Sequence, residues 1–413
     1  MSEFLELISS ERAWRRWHQA IESAVSPMDQ QVVPLSNALG RVLAEPIAAP
    51  EALPPFRRST VDGYALRSAD SFGASEGLPA YLDIVGEMPM GVIEPFHLEE
   101  GESALVHTGG ALPEGADAVV MLEDTQQPKQ GELEVFKAAA KGANVLEAGE
   151  DISPGDPAFS AGRKLRPQDL GGLAALGITQ VPVTSPPRVA ILSTGDELVP
   201  PEAVVGPGQV RDVNSTTLRA LVIQAGGEPI NYGIVSDKPG ELERAASKAK
   251  AESDLIMITA GSSVSERDRT NEVISGLGKP GVLVHGLSIK PGKPTILGLA
   301  EGTPALGLPG NPVSALVIAG LFLTPLIRWM LGQPVEQVRP QVPARLAINL
   351  ASKSGREDYV PVRLEEEEDN WRAEPVFGRS NLIFTLIRAD GLIRIPPQST
   401  GLRSGEVVNV ILF

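Results

Sequence analysis

From residue 187 to about residue 331 the chain alternates short apolar runs with helix-patterned stretches, and this alternation restricts the possible folds more than any other feature. The runs are "RVAILST", "EPINYGIV", "DLIMITA", "GVLVHGLSI" and "PALGLP"; the helical stretches fall at about 215–225, 239–251, 268–275 and 312–331. Strand and helix in repeated succession pack as helices against a largely parallel sheet. In such sheets ligands bind beyond the carboxyl ends of the strands, where loops and helix N-termini converge. The unusual clusters of this region fall at those ends. "STGDEL" follows the first run with Asp196 and Glu197, "VSDKPG" the second with Asp237, and "AGSSVSERD" the third, ending in Asp268. "SIKPGKP" sets Lys290 and Lys293 on a turn, and "GLPGNPVSA" leads through Pro309, Gly310, Asn311 and Pro312 into the longest helix.

These loops offer two kinds of surface. Asp196, Glu197, Asp237 and Asp268 are hard oxygen donors of the kind Mg²⁺ takes, one or two at a time, together with substrate phosphate and water. Lys290, Lys293, the glycine-bearing turn at 307–310 and the helix start after Asn311 suit a phosphate or another oxyanion. Each piece also has an ordinary structural reading: an acidic turn, a basic hairpin, a proline-started helix, or, in "VRDVNSTTL", a cap by Asn214 or Ser215 with Asp212 near the positive end of the helix. Their common place in the topology argues for a site.

Composition narrows the class. The 413 residues exceed one usual core, so roughly two to four domains are expected. With 52 acidic against 36 basic side chains the formal charge is −16, which speaks against a nucleic-acid or anionic-membrane partner. An anionic ligand must then be held by a few placed cations and backbone amides. No cysteine is present, which excludes disulfides, thiolate metal sites and a cysteine nucleophile, and four scattered histidines make a histidine zinc site a poor fit. The N-terminal residues lack a basic-then-apolar leader pattern, and the apolar stretch from Pro312, interrupted at Pro325 and stopped at Arg328, reads as a buried core helix rather than a membrane span. A soluble, cytoplasmic protein is expected.

Around the α/β region the pattern changes. Leu5, Ile8, Trp14, Trp17 and Ile21 have roughly helical spacing. Residues 80–138 carry short apolar runs between Gly, Pro and acidic turns, a small mainly β domain, and the last 80 or so residues read as a C-terminal β domain or barrel.

Nine stretches, in order, make the chain resemble the molybdopterin molybdenumtransferase family, MoeA, which is also the C-terminal region of gephyrin. They are "STVDGYA" (59–65), "HTGGALPEGADAVV" (107–120), "GEDI" (149–152), "STGDEL", "DVNS" (212–215), "AGSSVSERD" (260–268), "KPGKP" (290–294), "GLPGNPVSA" (307–315) and "GLIRIP" (391–396). The resemblance implies a multidomain α/β plus β chain of four domains: an elongated N-terminal linker domain (1–53 with 147–185), a small β domain (54–146), a central three-layer α/β domain like that of MoaB and MogA (186–332), and a C-terminal β-barrel domain (333–413). It implies a reaction in which adenylylated molybdopterin and molybdate become molybdenum cofactor with release of AMP, assisted by Mg²⁺. It also implies a homodimer with an intersubunit site and transient contact with a molybdopterin adenylyltransferase.

Carried over residue by residue, the resemblance places Asp62 and Thr108 on one side of the cleft. Glu197, Asp237, Asp268, Ser262, Lys290, Lys293, Pro309, Gly310, Asn311 and Pro312 lie on the other, with Asp196, Glu197 and Asp268 toward the metal. Asp151 matches a family position and is also read as a turn cap; Tyr64 is read as a packed aromatic; Arg356 and Ser380 match loosely. One loop departs from the family's Gly-Gly-x-Ser-x-Gly-x-x-Asp: Ala260 and Ser265 stand where glycines are usual, so positive φ there would be costly. Two other functions compete. A non-catalytic pterin-binding scaffold is disfavoured by the full set of carboxylates and lysines, and an adenylyltransferase by the extra domains.

Overall fold

The computed structural model describes residues 7–92, 95, 97–260, 264–334, 340–367 and 370–413, and for 264–268 the backbone alone. By contact the chain divides into two compact units: one runs up to Val32 and takes in Gly40–Ala44 and Pro182–Phe413, and the other comprises Val33–Leu39 and Glu45–Val181. The first element, α1 (Ser10–Glu22), belongs to the former, whereas the resemblance grouped residues 1–53 with the linker segment 147–185. The reason is burial: Trp17 and Ile21 are fully enclosed in the α/β core, and Trp17 Nε1 donates to the Gly298 carbonyl at 2.7 Å.

The second unit holds a six-stranded sheet built from β1 (Gly63–Leu66), β2 (Ala80–Met88), β3 (Glu102–Val106), β4 (Ala118–Met121), β5 (Thr125–Gln126) and β6 (Glu132–Val135), in the spatial order β4-β1-β3-β2-β6-β5. Gly63 opens β1 because a Cβ there would lie 2.0 Å from the Val120 carbonyl oxygen on the neighbouring strand. Further on, α2 (Pro167–Ala175) starts on proline, with the Arg166 amide bonded to Asp169 Oδ2 at 2.9 Å.

The α/β region of the first unit contains β7 (Arg188–Thr194), α3 (Val213–Ala225), β8 (Glu228–Val235), α4 (Glu241–Glu252), β9 (Leu255–Ala260), α5 (Val264–Gly276), β10 (Pro280–His285), β11 (Ile289–Lys290), β12 (Ile296–Ala300), β13 (Thr303–Pro309) and α6 (Pro312–Met330). Its sheet runs β8-β7-β9-β13-β12-β10, the first four parallel and β12 antiparallel to both neighbours. Alternate residues go to opposite faces. Val189 and Ile191 join α1, α3 and α6 on one side, while Ala190 and Leu192 join α4 and α5 on the other, which makes three layers. α6 has the length and composition of a membrane span, yet Val313, Ile318, Phe322, Leu326 and Met330 are buried in this core. It runs unbroken through Pro325, one helix as read from the sequence; packing on several sides outweighs the cost of about 3 kcal/mol for an interior proline.

Two strands differ from the sequence reading. "GVLVHGLSI" is split, because Gly286 at φ 101° turns the chain out after His285 and β11 pairs elsewhere. β12 was not anticipated; its run "TILGLA" directly follows the KPGKP turn.

The C-terminal strands are β14 (Gln341–Leu346), β15 (Glu357–Glu367), β16 (Asn370–Pro375), β17 (Gly391–Ile395) and β18 (Val407–Leu412). They follow the order β15-β16-β14-β18-β17, and β17 pairs back onto β15, so the sheet closes as a barrel around Val362, Ala373, Ile393, Ile395 and Val410. β11 lies on the outside edge of β15, with Lys290 beside Asp358.

Candidate active site

Because β7, β8, β9 and β13 are parallel, their carboxyl ends share one edge: Thr194 stands beside Val235, Ser193 beside Thr259, and Ala260 beside Pro309. β10 ends at this edge too, since His285 pairs with Ile296 and Ile296 with Gly307. The five segments singled out in the sequence are the five that leave it.

At the end of β7 the hydroxyls are buried and engaged. Thr259 Oγ1 donates to Ser193 Oγ at 3.2 Å, and Thr194 Oγ1 donates to Asp237 Oδ1 at 2.6 Å. Asp196 and Asp237 then grip each other's loops. The Asp196 amide donates to Asp237 Oδ2, while the Ser236 hydroxyl and the Asp237 amide both donate to Asp196 Oδ1, each at 3.1 Å. Asp237 uses both oxygens in this clasp, an occupancy suited to holding the loop. Asp196 Oδ2 and the Glu197 carboxylate have no partner among the described residues. Glu197 folds back over Gly195 so closely that a Cβ on that glycine would lie 2.7 Å from Oε2, and the Val210 amide holds its carbonyl at 2.9 Å.

The helix that follows is capped by Asp212, not by Asn214 or Ser215: Asp212 Oδ1 accepts from the Ser215 amide at 3.0 Å, the three-residue reach of an N-cap. Asn214 is left free to donate from Nδ2 to the Gly310 carbonyl at 2.8 Å, tying this helix to the "LPGNPV" turn. There Pro309 is buried, Asn311 caps α6 without a side-chain bond, and Pro312 is the first helical residue. The Val313 amide donates to the Ser380 carbonyl at 3.0 Å, which brings that barrel segment to the start of α6.

Lys290 and Lys293 are exposed, and neither ammonium has a partner among the described residues. Between them Gly292 stands at φ 110°, with Ile318 of α6 only 2.4 Å from where a Cβ would sit, so the turn rests on α6 through a position that tolerates glycine alone. Arg356 holds Asp358, the neighbour of Lys290 in β15, through Nε–Oδ1 at 2.7 Å and Nη2–Oδ2 at 2.8 Å.

Ser262 and the Asp268 side chain lie outside the described residues. The glycine replacements are accommodated: Ala260 ends β9 as an extended residue and Ser265 falls in the first turn of α5, conformations that do not need glycine.

In the small β unit, Gly63 pairs with Val106, so Asp62 and Thr108 flank one end of the β1–β3 ladder. The Thr108 amide donates to Asp62 Oδ1 at 2.9 Å; His107 stands 3.8 Å from the same oxygen and 2.9 Å from Glu87 Oε1. Tyr64 is buried and its hydroxyl accepts from Gln127 Nε2 at 2.6 Å, a packed aromatic as read. Asp151 is exposed, its amide bonded to the Leu53 carbonyl. Sequence reasoning missed the roles of Thr194, Ser236 and Arg269, and read Asn214 as a cap rather than as a tie to Gly310; these contacts join segments far apart in the chain.

The chain matches three family models in succession: the MoeA N-terminal region (domains I and II) over residues 8–177, a probable molybdopterin binding domain over 190–329, and the MoeA C-terminal region (domain IV) over 343–413. A molybdopterin molybdenumtransferase of a Nostoc species is 34% identical over 401 residues, covering 94% of this chain and 89% of that protein. One from Haemophilus influenzae is 32% identical, covering 95% and 96%. The crystal structure of a molybdopterin biosynthesis MoeA protein from Pyrococcus horikoshii superposes with a TM-score of 0.85 at 32% identity, covering 99% of this chain and 100% of that one. End to end, in domain content, sequence and fold, the chain belongs to the MoeA family of molybdopterin molybdenumtransferases.

Proposed function

We propose that this transferase inserts molybdate into adenylylated molybdopterin with release of AMP, assisted by Mg²⁺. One observation carries the reading: carboxylate oxygens of Asp196 and Glu197 and the ammonium groups of Lys290 and Lys293, all without a partner among the described residues, leave the same edge of one sheet. The substrate joins a phosphoanhydride, which calls for a cation, to an oxyanion reactant, which calls for positive groups.

The donor set fits magnesium. Asp196 Oδ2 and Glu197 are hard oxygens, and no group of three or more His, Asp or Glu side chains able to hold a metal unaided forms among the described residues; an ion completed by substrate phosphate and water needs only one or two. When bound, the ion would polarise the phosphoryl oxygens and offset developing charge. The chain's own residues do the rest. Asp237 keeps the Asp196 loop in place, Lys290 and Lys293 bind oxyanion, and Pro309, Gly310, Asn311 and Pro312 form the turn that enters α6 at the same edge. Asp62 and Thr108 would supply the facing wall in a cytoplasmic homodimer.

The test is to incubate the purified protein with adenylylated molybdopterin, Mg²⁺ and molybdate and to follow AMP. Release should depend on the oxyanion and fall by about 100-fold or more in Glu197→Ala and Asp268→Ala, while Lys290→Ala should raise the half-saturating molybdate concentration about tenfold. Release that ignores both carboxylate substitutions would overturn the assignment.

A further inference from the structure

We propose that Arg269 is a positioning residue that sets the carboxylate loops of this site. It follows Asp268 in α5, and its side chain is 20% exposed. Nη1 donates to the Asp237 carbonyl, Nη2 donates to the Lys238 carbonyl at 2.6 Å, and Nη2 stands 3.6 Å from Glu243 of α4. One planar fork thus takes two successive carbonyls, which an ammonium on a flexible stem does not match.

Asp237 is consequently held from two directions. Its carbonyl is drawn to α5 by Arg269, and its amide and carboxylate are bound by Asp196 and Thr194 at the end of β7. Three chain segments are coupled in series: the first part of α5, which carries Asp268; the turn after β8; and the loop that carries Asp196 and Glu197. Bonds from guanidinium to carbonyl are charge-assisted and directional. Without them the Asp237 end of the turn is tied across segments by its bonds to Thr194 and Asp196, and the clasp between Asp196 and Asp237 opens more often. Arg269 touches no reacting atom; it acts through Asp237.

The structural part of this inference stands alone, and its kinetic part rests on the reaction proposed above. Arg269→Ala, Arg269→Lys and Arg269→Gln are made in the full chain. Hydrogen exchange is followed by mass spectrometry in peptides spanning 194–199 and 233–240, alongside thermal unfolding. In Arg269→Ala the Asp196 and Asp237 amides should exchange about tenfold faster, Arg269→Lys should not restore protection, and the melting temperature should move by only a few degrees. Arg269→Gln, which can serve one carbonyl, should fall between, and decides the matter should the alanine variant not fold. In the AMP assay the half-saturating Mg²⁺ concentration should rise about tenfold with the pterin KM changed less than about twofold. Adding Asp237→Ala should cost little more, because both changes break one series. Unchanged exchange at Asp196 and Asp237 in Arg269→Ala or Arg269→Gln overturns the proposal. A wild-type protein that releases no AMP sinks the reaction instead and leaves the exchange result to judge Arg269.

Discussion

Asp169 and Asp212 each hold the first turn of a helix, and both look in sequence like any other acidic residue near a helix start. Asp169 is 4% exposed and is reached by Arg166 through Nε and Nη2, by Arg163 at 2.7 Å, and by the Arg166 amide. The Arg166 guanidinium first, with Arg163 behind it and against the cost of burial, holds the Asp169 carboxyl well below the usual carboxylate range. A carboxyl lowered on folding contributes stability that is present above its unfolded value of about 4 and is lost as pH falls through its folded value. Asp169→Asn should therefore lower stability at neutral pH and flatten its decline below about pH 4, read from denaturation midpoints across that range. Asp237 teaches the converse. Named in the sequence for its place beyond a strand end, it is bonded by Thr194 and Asp196, 43 and 41 residues away, while Ser236 bonds Asp196 in turn, so that the two loops latch together. No local pattern announces such a pairing, since it depends on β7 and β8 being neighbours.

Helices were more legible than strands. The amphipathic spacing of Trp14, Trp17 and Ile21 and the proline-started α6 are properties of single stretches, and both formed about where expected. β12 and the break between β10 and β11 are not, because a strand is defined by its partner. "TILGLA" lacks alternation since it is buried on both sides, and Gly286 breaks an apolar run that looks continuous. What a helix packs against was equally hidden. Trp17 inserts between α6 and the sheet, with ring centroids 6.4 Å from Phe322 and its indole N–H on Gly298. Trp17→Ala should cost about 3–5 kcal/mol, for lost burial, a cavity and an unanswered carbonyl together, seen in chemical denaturation. A cost below about 1 kcal/mol would mean that α1 is not part of this core.

Across the first compact unit, the barrel and the α/β region are joined by hydrogen bonds between Glu357 and both α1 and the segment before β11, as well as by strand pairing. Glu357 is 1% exposed; Arg394 Nη2 donates to its Oε1 at 2.6 Å, Ser10 Oγ to its Oε2 at 2.5 Å, and its amide to the Ser288 carbonyl at 2.9 Å. Glu357 is buried while the Arg394 side chain is 45% exposed, so solvent can answer part of the lost charge; Arg394→Ala should destabilise by about 1–2 kcal/mol, and Arg394→Met with Glu357→Met should recover part of it; thermal unfolding of both variants checks this. The alternation of helices with the parallel strands, the places where loops leave the central sheet, and the residue types on those loops were readable from the chain, because periodicity, turn residues and topology rules are local or nearly so, whereas β12 and the β10–β11 break were not. Which carboxylate holds a loop and which keeps free oxygens, how Lys290 comes to stand on a barrel strand, and how Arg269 ties three segments together followed from folding alone. Those outcomes depend on distances between residues tens to hundreds of positions apart, and such distances exist only once the sheet has brought its strand ends together.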